Sequence, residues 1–66
     1  MNDAKQKVVD EKAQLQDKIM KLSNFMVWDK NFENLSKEQR WLLKLQQRVM
    51  LVYNEILEAR LNIWEE

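Results

Sequence analysis

The 66-residue chain contains no cysteine, histidine, glycine or proline. Without cysteine or histidine it can build neither a disulfide framework nor a thiolate or imidazole metal site, the usual reinforcements of small proteins. Without glycine or proline it lacks the residues on which tight hairpin turns, phosphate-binding loops and dinucleotide fingerprints depend. Long apolar runs are missing too. The longest, Val49 to Tyr53, spans five residues, whereas a helix needs roughly 20 to cross a bilayer. Asp3, Lys5, Lys7, Asp10, Glu11, Lys12, Asp17 and Lys18 interrupt the first twenty residues and leave no apolar stretch for a secretion signal. The expectation is a soluble protein of the cytoplasm. Nor is there an excess of one charge: 11 Lys+Arg face 11 Asp+Glu, and residues 1–34 and 35–66 are each balanced. No acidic or basic tail advertises a partner.

What remains is 45% hydrophobic and 33% charged, too apolar for a disordered chain and too polar for a membrane span. The fold class that survives is all-α, in one domain covering residues 1–66. A chain this short buries only about 60% of its unfolded surface, so it needs very regular helix packing or self-association.

Val8, Leu15, Ile19, Leu22 and Met26 are spaced as one face of an amphipathic helix, predicted over about residues 3–28. Asp29, Asn31 and Asn34 then favour a turn, with Phe32 and Leu35 as apolar plugs. Ser36 followed by Gln39 is a capping-box pattern, which starts a second helix at Lys37. That helix is predicted to run to about Trp64 and, after so short a connection, to fold back antiparallel on the first.

The second helix carries two stripes. Leu42, Leu45, Val49, Val52, Ile56, Ala59 and Ile63 alternate at spacings of three and four, a coiled-coil seam. Beside it run Leu43, Gln46, Met50, Tyr53, Leu57, Arg60 and Trp64, mixed in character. One stripe suffices for the first helix. The seam is expected to serve it, and the mixed stripe falls to a second copy, giving a dimeric or higher helical bundle.

The chemical inventory is poor. Ser23 and Ser36 are the only serines, the absence of histidine leaves neither the usual triad partner, and Ser36 is better explained as a helix cap. The carboxylate pairs Asp10 with Glu11 and Glu55 with Glu58 fall among polar residues and read as solvated faces, not metal ligands. The expectation is a non-enzyme with no cofactor and no metal. Lys37, Arg40, Lys44 and Arg48 form a positive stripe on the second helix. If the chain reverses near residue 32, Lys18 and Lys21 come to the height of Gln46 and Leu43. Such a stripe attracts phosphate, although the plainer reading is a solvated face balancing the acidic end. Zero net charge argues against a nucleic acid polymer. Tyr53 and Trp64 read first as core rings with a polar tip at the edge. Arg60 and Gln46 interrupt an apolar stripe and need a partner, either internal, such as Asp3 or Glu11, or a ligand.

Val8-Val9, Glu11-Lys12, Leu15, Lys18-Ile19, Leu22, Phe25, Phe32 and Leu35, with the series Leu42-Leu43, Gln46, Met50, Tyr53, Ile56-Leu57 and Arg60-Leu61, resemble a widespread family of small tailed-phage and prophage proteins known through a crAss-like phage member. The helix-2 series is the most specific part, and Lys7 stands where such proteins often carry an Arg. The resemblance implies a phage origin and a helical hairpin. By analogy with other small phage proteins it also implies counter-defence, as an oligomeric sponge for a cyclic nucleotide immune signal. Arg60, Tyr53, Gln46 and Met50, helped by Arg48 and Lys18, are then the expected ligand-binding residues. The alternative is a protein-binding inhibitor or adaptor that grips a host protein through its apolar face, with Trp41, Trp64 and Met50 as anchors.

Overall fold

A computed structural model describes residues 3–65. Helix α1 spans Asp3–Trp28, a single-turn helix α2 spans Lys30–Glu33, and helix α3 spans Lys37–Asn62. There is no strand among the described residues, and α1 and α3 pack against each other as a hairpin.

The turn is more ordered than its asparagines and aspartate alone require. Asp29 caps α2 by accepting a hydrogen bond from the Asn31 N–H at 2.9 Å. Phe32 is buried, its ring edge-on to Phe25 at 5.9 Å between centroids. Ser36 caps α3 as its spacing predicts, its Oγ accepting from the Gln39 N–H at 3.1 Å. At the far end α3 stops two residues before Trp64. Ile63 and Trp64 close it with N–H bonds to the carbonyls of Ala59 and Leu61.

Two cross-hairpin pairs set the register. Lys12 Nζ lies 3.9 Å from Glu58, and the Gln47 side-chain amide donates to the Ser23 hydroxyl. Both pairs obey one antiparallel alignment, which sets Lys18 opposite Val52 and Lys21 opposite Val49. The sequence expectation put these lysines opposite Gln46 and Leu43. The two pairs centre the reversal on about residue 35 instead of 32, so the first turn of α3 runs past the end of α1.

The packing also exchanges the roles of the two stripes. Val8, Leu15 and Leu57 form the buried core, and Ile19, Met50, Leu61 and Trp64 pack against it. Leu57 is the most enclosed, at 0% exposure. The inner face of α3 therefore takes Leu43, Met50, Leu57 and Trp64 from the mixed stripe and adds half-buried Gln47 and Asn54 from beyond it, while Gln46, Tyr53 and Arg60 stay exposed. The strict seam faces outward: Leu42, Leu45, Val49, Val52, Ile56 and Ile63 are all exposed, Val49 at 61% and Val52 at 54%. The connection decides this rotation. Leu35 is half buried, Arg40 and Leu43 follow it onto the inner face, and Leu42 is left outside.

The result is a rod of 49 × 15 × 13 Å with a radius of gyration of 15.1 Å, against about 11 Å for a compact chain of this length. It exposes 5572 Å² of surface, where a compact monomer of 8.1 kDa exposes about 4,500 Å². No helix among the described residues is long and apolar enough to cross a membrane.

Candidate functional site

Gln46, Tyr53 and Arg60 recur every seven residues on α3, so they lie in one row that drifts by only about 20° per heptad. The row marks the boundary between the inner face, carrying Met50 and Leu57, and the outward seam of Val49, Val52 and Ile56. All three of its side chains are exposed. Tyr53 forms one wall and Arg48 the other of an apolar concavity of about 440 Å³ whose floor is Val49, Val52 and Ile56. Gln46 donates weakly to the Met50 sulfur at 3.9 Å. Arg60 lies two turns further along, in a shallow hollow with Ala4, Ile63, Trp64 and Glu65. Among the described residues it makes no ion pair or hydrogen bond, and neither Asp3 nor Glu11 meets it.

Lys18 joins this row from α1. Lys12 and Lys18 stand three residues to either side of buried Leu15, about 60° from it in opposite senses. Lys12 turns to Glu58 on one flank of the hairpin. Lys18 therefore occupies the opposite flank, the one that Tyr53 also faces, at the height of Val52. Met50 is the most committed of the six predicted residues, half buried against the hairpin core. Arg48 stands across the seam from the others.

The electrostatics are plain. Lys21 donates to Asp17 one turn back at 2.9 Å, and this hydrogen bond, with the attraction of the carboxylate, raises its pKa above the ordinary 10.5. Among the described residues no three acidic side chains converge on a point that could hold a metal ion.

A second concentration of cations and rings lies at the turn end, where Lys21, Lys30 and Trp28 line one shallow hollow and Lys37, Arg40, Lys44 and Trp41 another. Trp28 is 80% and Trp41 62% exposed. Sequence reasoning found the basic stripe and Trp41 but gave Trp28 no part. The signal that could have found it is its position outside the apolar stripe of α1.

A slender hairpin with an outward apolar seam and a row of exposed polar side chains along its rim has the architecture of a small binding protein. Residues 2–63 match the Sequestin family, and the chain belongs to it. The family name marks a sequestering, binding protein. No curated protein and no solved structure is significantly similar to the chain.

Proposed function

We propose that this protein is a phage counter-defence protein that sequesters a cyclic nucleotide-type immune signal of the infected bacterium and holds it without turnover. The observation that carries the reading is the row Gln46, Tyr53 and Arg60, exposed polar groups held within the hairpin by no more than the weak Gln46 bond to Met50 and spaced two turns apart on the rim of an apolar seam. Membership of Sequestin supports sequestration, and the likeness to small tailed-phage and prophage proteins supports the setting.

The row suits an anionic ligand with aromatic bases. A guanidinium meets a phosphate in a bidentate fork, which Arg60 is free to make. The Tyr53 ring offers a flat apolar face to a base, and the Gln46 amide both donates and accepts at a base edge. Lys18 and Arg48 add positive charge at the same height on either side. With no cysteine or histidine in the chain, a thiolate nucleophile and an imidazole proton shuttle are missing, which suits holding over turnover.

The exposed seam favours one further reading, a module that binds a host protein through its apolar face. Of the three anchors expected for it, Trp41 is exposed, whereas Met50 and Trp64 pack against the hairpin's own core.

A thermal-shift screen against cyclic dinucleotides, cyclic trinucleotides and cyclic ADP-ribose isomers separates the two. A signal present at 100 times its dissociation constant should stabilise the fold by about 2.7 kcal/mol. Arg60→Ala should remove that shift and leave the helical content unchanged. Absence of a shift with every signal would favour the protein-binding reading.

A further inference from the structure

The outward seam of α3 has the properties of one half of a twofold interface. We infer that a second copy of this chain covers it, with the two α3 helices antiparallel about an axis between Val49 and Val52, and that the row Gln46, Tyr53 and Arg60 is completed only in that dimer. The assembly does not depend on the sequestering reading. The shared site deepens that reading and rests on it.

The hairpin leaves more surface in water than a compact monomer of its mass, and six of its exposed large apolar side chains, Leu42, Leu45, Val49, Val52, Ile56 and Ile63, lie along one side of α3. The seam is a heptad repeat, with Leu42, Val49, Ile56 and Ile63 at one core position and Leu45, Val52 and Ala59 at the other. In an antiparallel pair each residue of the first set packs beside one of the second. Centred between Val49 and Val52, the layers become Val49 against the partner's Val52, Leu45 against the partner's Ile56, and Leu42 against the partner's Ala59. Each layer recurs in reverse through the symmetry. The one small residue, Ala59, thereby meets a large one, as close packing requires.

The flanking charges select this register. On one flank of the seam stand Trp41, Arg48, Glu55 and Asn62, and an antiparallel pair brings this flank against itself. Arg48 then faces the partner's Glu55 and Glu55 faces the partner's Arg48. Sliding by one heptad sets Glu55 on the partner's Glu55, or in the other direction Arg48 on the partner's Arg48, and like charges repel. A parallel pair would match Glu55 with the partner's Arg60. It would also leave Arg48 without an acid, set Ala59 against the partner's Ala59 across a gap, and align the two helix dipoles unfavourably. The antiparallel register satisfies volume and charge together.

The other flank carries Gln39, Gln46, Tyr53 and Arg60. The same symmetry sets Tyr53 beside the partner's Gln46, and Arg60 beside the partner's Gln39. Within one hairpin Gln46 and Tyr53 are two turns apart. Across the dimer they become neighbours, so each chain supplies the ring for one site and the amide for the other.

Charge reversal read by sedimentation tests the register. The wild type should sediment as a dimer of 8.1-kDa chains at micromolar concentration. Arg48→Glu and Glu55→Arg, each alone, should weaken the dimer at least about tenfold, equivalent to about 1.4 kcal/mol. The double variant Arg48→Glu/Glu55→Arg should recover wild-type association to within about threefold, equivalent to roughly 0.65 kcal/mol. Both side chains are exposed in the hairpin, so circular dichroism at matched concentration should show every variant helical. A wild type that remains monomeric, single reversals without effect, or a double variant no better than the singles would each overturn the inference. If the cycle holds while calorimetry with cyclic dinucleotides stays flat, the dimer stands and only the sequestering reading falls.

Discussion

Gln47 donates its side-chain amide to the Ser23 hydroxyl across the hairpin, while its own Oε1 is enclosed with no hydrogen-bond partner. Two turns further along the inner face, Asn54 Oδ1 is in the same condition. These amides stand in the line of α3 that packs on α1, where a strict seam would have carried Leu or Val. An enclosed polar atom without a partner costs about 1–3 kcal/mol. Asn54→Leu should therefore stabilise the protein by about 1–2 kcal/mol and raise the melting temperature by several degrees, measured by thermal denaturation at fixed concentration.

Leu57 should show the opposite extreme. Among the described residues it is the one fully enclosed side chain, and Leu57→Ala should cost about 2–5 kcal/mol. With so little core to spare, the expected outcome is loss of most helical circular dichroism at 25 °C. Leu42→Ala, on the exposed seam, should leave far more of the helical signal in place.

Val52→Asp separates folding from association. Val52 is about half exposed in the hairpin, so the new carboxylate keeps its water unless a second copy covers it. The variant should abolish the dimer, and its helical signal should then cease to vary with protein concentration. In the wild type the melting temperature should rise with concentration, as it does whenever folding and assembly are linked.

Much of this fold is local and could be read from the sequence. The span of α1, the Ser36 cap and the start of α3 at Lys37 follow from side chains acting within a turn or two of themselves. The rotation of α3 could not be read in the same way. Leu42-Leu45-Val49-Val52 and Leu43-Gln46-Met50-Tyr53 have the same three-and-four spacing, and periodicity alone cannot choose which faces α1. The choice lies in the connection, where buried Phe32 and half-buried Leu35 set how α3 leaves the turn. The register was hidden for the same reason. Of the candidate site, the row of Gln46, Tyr53 and Arg60 is a sequence feature, whereas Met50 facing the core and Lys18 standing level with Val52 emerge only from packing.

If each site is shared between chains, binding should show complementation. Gln46→Ala and Tyr53→Ala homodimers should each bind a cyclic nucleotide ligand poorly. A mixed dimer of the two variants pairs the intact Tyr53 of one chain with the partner's intact Gln46 and rebuilds one site of two. Equimolar mixing of the inactive variants makes about half of the dimers mixed and should restore about a quarter of the wild-type stoichiometry in calorimetry, a gain that sites confined to one chain would not produce.

A sequestering protein retains its signal without turnover. The measurement that addresses it most directly is calorimetric titration of the wild-type protein with the cyclic nucleotide panel, followed by heat denaturation and chromatography of the released ligand. Saturable heat at a fixed ratio of ligand to protein is expected with one member of the panel, with recovery of that ligand chemically unchanged. A flat titration throughout, or a ligand released as a cleaved product, would contradict it.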